Sequence, residues 1–205
     1  MTIKDLINQQ FEKPSGGLGR LVGWLMSISN GKKNEWLISK INPQPGERLL
    51  EIGYGNGDVI EVLAGTLYNS FIAGIDHSSL MYQQAIRNNK RYIRTNRVAL
   101  HLGTVWELDY PSESFDVIYG SNVHFFWKNP EKEFGLLREL LKPGGRLLMV
   151  FQPRWIKSPD ELRRFAEKTL REFYLAGFEQ VELDYMPMRP VTCVALTGYN
   201  PWGNG

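Results

Sequence analysis

Leu49-Leu50-Glu51-Ile52-Gly53-Tyr54-Gly55-Asn56-Gly57-Asp58 is the stretch whose reading decides the fold. A short apolar run meets three glycines at alternate positions, and a helical pattern begins at Asp58. Glycines so placed let the chain turn tightly, and let a ligand approach main-chain atoms without Cβ interference. The alternative is a plain strand-to-helix turn.

Outward from this loop, apolar runs alternate with helical periods. The pattern predicts strands over residues 49–52, 71–75, 98–102, 117–119 and 146–151, with helices over 58–67, 79–93 and 131–141. A long loop containing Pro111 joins the third and fourth strands, and Pro143-Gly144-Gly145 precedes the fifth. Strands alternating with helices imply right-handed crossovers and a mostly parallel sheet covered on both faces. The tail breaks that rhythm. Ser158-Pro159-Asp160-Glu161 reads as a capping box with Pro at the first helical position. The helix it starts carries Leu162, Phe165, Ala166, Leu170 and Phe173 on one face and stops at Gly177. Strand-like runs over 180–185 and 192–197 are separated only by Met186-Pro187-Met188-Arg189-Pro190. No crossover helix fits there, so the last two strands are expected to pair antiparallel. Before the sheet, Lys13-Pro14-Ser15-Gly16-Gly17 divides a short first helix from a second over 18–41, which ends at Asn42-Pro43. Residues 1–43 are therefore expected to be N-terminal helices, either packed on the domain or lying as a lid over an acceptor site. Residues 44–205 are expected to form the α/β domain.

Composition narrows the class. The 205 residues are 42% hydrophobic and 22% charged, the profile of a globular domain. No run approaches the ~20 apolar residues of a membrane span, and Met1 to Glu12 has no apolar signal core. A single cysteine, Cys193, excludes an intramolecular disulfide, gives no metal cluster, and reads as a small buried residue. A cytoplasmic location is the expectation. The net charge of +2 is too small to argue for nucleic acid by itself.

Asp76 lies nineteen residues past Gly57, at the end of the second strand, where a carboxylate can accept from both hydroxyls of a ribose. A helix cap is the plainer reading of such an acid, but Ser78 or Ser79 can serve as the cap. The loop chemistry disfavours a dinucleotide, because Gly-x-Gly-x-x-Gly counted from Gly53 reaches Asp58 instead of glycine. An acid in the first helical turn also partly cancels the attraction of a helix N-terminus for pyrophosphate. S-adenosylmethionine has no phosphate and presents a cationic amino group, so acceptors such as Glu51 and the loop carbonyls suit it better.

These residues resemble a known family. Leu49 to Gly57 is similar to the first motif of class I S-adenosylmethionine-dependent methyltransferases, and Gly74-Ile75-Asp76-His77-Ser78 to the motif ending in the ribose-binding acid. Glu107 to Pro111, Ser114 to Ile118 and Leu137 to Leu148 follow in the family's order and spacing. The resemblance covers about residues 48–152. It implies a Rossmann-like seven-stranded sheet with the last strand reversed, S-adenosyl-L-methionine as cofactor, and methyl transfer. By position it implies Glu51, Gly53, Tyr54, Gly55 and Gly57 around the methionine part, Asp76 on the ribose and His77 beside the adenine. Ser121 is implied on the sulfonium side. The family often has an acid after the glycine that ends strand three. Here Gly103 precedes Thr104 and Val105, whose hydroxyl or amide is expected to replace it. Tyr54 departs from the small residue common at its position.

Methyl transfer from a sulfonium is an in-line displacement with a good leaving group. The protein mostly aligns the acceptor, excludes water and removes a proton where the acceptor carries one. His124, two residues beyond Asn122 and just after strand four, is the candidate base, against the plainer reading of a hydrogen-bonded structural group. Phe125, Phe126 and Trp127 offer an acceptor pocket or cation–π wall, or else pack helices on the sheet. Trp155 and Trp24 are further candidates. A small-molecule acceptor is the leading expectation. Arg87, Lys90, Arg91, Arg94 and Arg97 form the most basic stretch, ordinarily a solvated helix face, and otherwise a surface for an RNA acceptor. A non-catalytic cofactor-binding module is the third reading.

Overall fold

A computed structural model describes residues 31–202. The expected first helix, most of the second and Trp24 lie outside the described residues. Residues 31–41 are helical (α1) and bury Leu37 and Ile41 completely. Beyond them seven strands form one sheet in the order β3-β2-β1-β4-β5-β7-β6, with helices packed around it. The chain divides into two compact units, Met1–Gly46 with Glu51–Leu108, and Glu47–Leu50 with Asp109–Gly205.

β1 (Arg48–Ile52) is shared between the units, its start in the second and its end in the first. The first unit also holds α2 (Asp58–Thr66), β2 (Phe71–Asp76), α3 (Ser79–Asn88), α4 (Lys90–Ile93) and β3 (Val98–Leu102), then a 3-10 turn over Val105–Glu107. β2 and β3 pair in parallel, Ile72 opposite Val98 through Asp76 opposite Leu102. α2 buries Val59, Ile60, Leu63 and Ala64, the helical stripe that the sequence spacing requires. One expectation is corrected here. The helix over 79–93 is broken at Asn89, whose side-chain amide donates to the carbonyls of Gly57 and Ala85, both at 3.1 Å. Asn competes for backbone groups in this way and is a poor residue for a helix interior.

The second unit holds β4 (Phe115–Ser121), a 3-10 turn over His124–Phe126, α5 (Pro130–Leu140), β5 (Leu141–Phe151), α6 (Pro159–Leu175), β6 (Glu179–Met186) and β7 (Cys193–Tyr199). β4 and β5 are parallel, while β7 runs antiparallel to both β5 and β6, as the short linker required. Cys193 is fully buried at the start of β7. β5 begins at Leu141, five residues earlier than its apolar run suggested. Between the pairs Phe115–Leu141 and Val117–Arg146 the strand bulges around Asp116. Asp116 Oδ1 meets Lys142 Nζ at 2.7 Å, and Oδ2 accepts from the Arg48 amide at 2.8 Å. Asn200 closes the other side of the bulge, its Nδ2 donating to Leu141 O at 2.9 Å and its main chain pairing with Gly144 and Gly145.

At α6, Ser158 accepts from the Glu161 amide at 3.2 Å, but Glu161 Oε2 accepts from the Lys157 amide. The reciprocal half of the expected capping box is thus displaced by one residue. Leu162, Ala166, Thr169 and Phe173 of α6 are buried, and Phe173 stacks between Phe134 at 4.6 Å and Phe178 at 5.2 Å.

Candidate functional site

In the first unit the glycine loop, the end of β2 and the end of β3 converge on Asp76. Its Oδ2 accepts from the Gly55 amide at 2.9 Å, its Oδ1 from the Ser78 amide at 2.8 Å, and its carbonyl from the Gly103 amide at 2.9 Å. The Gly53 amide donates to Ile75 O at 2.7 Å. Asp76 is therefore not the helix cap. Ser78 takes that role, accepting from the Met81 amide. Burial pushes the Asp76 carboxyl above its ordinary pKa, and the two amide bonds and the nearby His77 pull it back. Each carboxylate oxygen retains acceptor capacity beyond its single amide bond.

Two glycines of the loop are obligatory for different reasons. Gly57 has φ +80, and a Cβ there would stand 2.6 Å from Asn89 Nδ2 and 3.0 Å from Ala85 Cβ. Gly55 has φ +56 and nothing within 4 Å of where its Cβ would stand, so it borders open space beside the Asp76 carboxylate. Asn88 and Asn89 brace the loop from α3, donating to the carbonyls of Asn56 and Gly57. Sequence reading missed them. Paired amides inside a helical period were the available signal.

The remaining candidates of this unit separate into two groups. Glu51 is buried at the end of β1, and His77 is exposed just after β2. The Tyr54 side chain, by contrast, turns inward. Its ring lies against Gly74, and its hydroxyl donates to His101 O at 2.9 Å. Burial and the neighbouring Asp76 push that phenol upward in pKa, so it stays neutral. The Thr104 hydroxyl is also occupied, because Thr104 Oγ1 and amide both donate to Glu107 Oε2, at 2.9 and 2.7 Å. Those two bonds lower the Glu107 pKa. The acid absent at position 104 is thus supplied to the same turn from three residues on, and Val105 is buried beneath it.

In the second unit, Ser121 ends β4 with its hydroxyl buried and without a partner among the described residues. Asn122 ties strand ends together. It adopts φ +58, and its Oδ1 accepts from the Gln152 amide at 2.7 Å. His124 is 2% exposed. Its ring packs against Phe151 at 4.7 Å and Phe125 at 5.4 Å, and Nε2 lies 3.4 Å from Thr169 Oγ1. The Thr169 hydroxyl also lies 3.2 Å from Phe165 O, to which it donates. Burial, helped by Lys168, pushes the His124 pKa down to about 3. A ring sealed from solvent and this weakly basic is poorly suited to removing a substrate proton near neutral pH.

Outside that core stands a half-exposed aromatic wall. Phe125 lies 4.7 Å from Phe126 and 4.7 Å edge-on from Trp155, with Phe126 and Trp155 44% and 52% exposed. Trp127 turns away to pack on Phe134 at 5.1 Å. Among the described residues no group of acids, histidines and cysteine is arranged to hold a metal. None of their helices is long and apolar enough to cross a membrane.

Comparison with known proteins agrees with this geometry. A family model described as a methyltransferase domain matches residues 50–149. The "Uncharacterized methyltransferase YdaC" of Bacillus subtilis is 26% identical over 182 residues, covering 88% of this chain and 98% of that one. An S-adenosylmethionine-dependent methyltransferase from Aquifex aeolicus superposes with a TM-score of 0.66 at 15% identity, covering 85% of this chain and 95% of its own. Phosphoethanolamine N-methyltransferase 2 of Haemonchus contortus, solved with S-adenosylhomocysteine, gives 0.68 at 16% identity, over 83% of this chain and 53% of its own. A reversed seventh strand, an acid-anchored glycine loop and these likenesses lead to one assignment: residues 50–149 match a methyltransferase domain, and the chain has the fold of the class I S-adenosylmethionine-dependent methyltransferases.

Proposed function

We propose that this enzyme methylates a small, largely apolar acceptor that rests on the Phe125–Phe126–Trp155 wall. The wall is the observation that carries the reading. Phe125 contacts both Phe126 and Trp155, and those two rings stay about half exposed just after β4 and β5, where a ligand in an α/β sheet is expected. Buried in the core they would need no explanation; left at the surface they offer a flat apolar face.

The cofactor site fits on the chain's own chemistry. Gly55 borders open space beside a buried carboxylate, and the loop carbonyls and Glu51 suit a cationic amino group. In this reading Asp76 holds the ribose hydroxyls, and Glu51, Gly53, Gly55 and Gly57 surround the methionine part. His77 and the Thr104–Val105 turn flank the adenine, and the Ser121 hydroxyl gains a partner. When bound, S-adenosylmethionine supplies an activated methyl group. The chain's part is to align the acceptor and keep water away. His124 serves as a neutral pillar beneath the wall, and proton removal does not depend on it. Residues 44–205 are assigned to form the catalytic domain, and the cytoplasm to be its compartment.

Formation of S-adenosylhomocysteine from a low-molecular-weight cell extract tests the proposal. Wild type and His124→Phe should turn over alike, whereas Phe125→Ala with Trp155→Ala should raise KM about tenfold or more. Turnover abolished in His124→Phe while the cofactor still binds would return the base role to His124.

A further inference from the structure

Between Asp76 and Glu107 the sequence contains no acid and five cations, Arg87, Lys90, Arg91, Arg94 and Arg97, in a chain whose net charge is only +2. None of the five forms an ion pair among the described residues, although Lys142, Arg146, Arg163 and Lys168 all do. All five lie in the first unit within eleven residues of chain, Arg87, Lys90, Arg91 and Arg94 exposed and Arg97 partly buried, and together make up a basic strip. At one end Arg87 adjoins Asn88, which donates to the glycine loop at Asn56 O. At the other, Arg97 donates to Leu67 O, beside Tyr68, whose side chain is exposed. In the middle Arg91 lies over the Tyr92 ring, 4.3 Å from its centroid, and against α2 at Gly65. Packing on Tyr92 and bonding to Leu67 fix the Arg91 and Arg97 guanidiniums, which limits the side-chain entropy lost on capturing an anion.

We infer that this strip is a docking face for single-stranded RNA. Like charges left unpaired side by side are relieved by a phosphate backbone, and the gain is counterion release. The exposed residues from Arg87 to Arg97 are Arg, Lys, Asn and Thr only. That donor set serves phosphate oxygens and the 2′-hydroxyls that distinguish RNA. Tyr68, 69% exposed beside Arg97, provides a ring on which a base can stack. A lipid surface is less well matched, because the strip itself offers no exposed apolar side chain to enter the interface. The strip shares no residue with the aromatic wall.

Fluorescence anisotropy with a labelled single-stranded RNA of about 20 nucleotides tests the inference, using the full chain. With four exposed cations, Arg87, Lys90, Arg91 and Arg94, the slope of log K against log salt should be about −3. R87E/K90E/R94E, which spares the packed Arg91 and Arg97, should lose about a hundredfold or more at low salt while retaining wild-type Tm and S-adenosylhomocysteine affinity. Tyr68→Ala should lose about tenfold. The inference is overturned by absent binding at low salt, by binding that survives the triple reversal, by equal affinity for DNA of the same sequence, or by tighter binding to phosphatidylserine vesicles.

Discussion

Replacing Asp76 with Ala removes two things that can be measured apart. The first is structural. Two charge-assisted bonds from the Gly55 and Ser78 amides disappear, and the Ser78 donor is buried. Leaving such donors without partners costs about 1–3 kcal/mol each, so urea denaturation should report a loss of about 2–6 kcal/mol. The second is ligand binding. Loss of hydrogen bonds from the ribose hydroxyls, about 1.5–3 kcal/mol, should weaken S-adenosylhomocysteine ten- to a hundredfold. A double-deletion cycle separates the two effects. Calorimetry is run on wild type and Asp76→Ala, each with S-adenosylhomocysteine and with its 2′-deoxy analogue. If the carboxylate holds the ribose, the analogue is penalised in wild type and hardly at all in the variant, a coupling of about 1–2 kcal/mol. Strictly additive losses would refute the reasoning, leaving Asp76 as a loop brace only.

Further outcomes follow from the same contacts. Burial raises the Asp76 pKa and the ribose needs its ionised form, so S-adenosylhomocysteine affinity should fall on acidification at a higher pH than for an ordinary aspartate; the matching loss should be absent in Asp76→Asn. His124 titrates at about 3 when folded, below its unfolded value, so the unfolded chain takes the proton first. Stability from this group is complete above the unfolded pKa and drains away as pH falls from about 6.5 toward 3. Between pH 7 and pH 5 it accounts for about 2 kcal/mol, an acid sensitivity that His124→Phe should lack in urea melts. Gly57→Ala should cost about 1–3 kcal/mol and weaken the cofactor, since the new methyl meets Asn89 and Ala85 at a left-handed φ. Tyr54→Phe should lose about 1 kcal/mol of stability, the bond to His101 O, and leave cofactor affinity within threefold, as calorimetry would register.

The sheet was legible because its rules are local. Alternate glycines after an apolar run, a five-residue linker that admits no crossover, and Ser158 before Pro159 each act through neighbouring atoms. What sequence could not show depends on distant partners. Asn89 breaks its helix because the Gly57 carbonyl lies within reach, thirty-two residues earlier. Tyr54 turns inward because Gly74 leaves room for its ring, and β5 starts early because Asp116 stitches the bulge to Lys142 and to β1. His124 sat at the right strand edge for a base, yet its role turns on the phenylalanines from β5, α5 and α6 that enclose it. Position along the chain carries no information about that enclosure.

A crystal structure with S-adenosylhomocysteine tests the central assignment most directly. The account predicts both ribose hydroxyls within about 2.6–3.2 Å of the Asp76 carboxylate oxygens, with the ligand crossing the open side of Gly55. A ribose held elsewhere, or a loop that stays closed over its own side chains at saturating ligand, would contradict it.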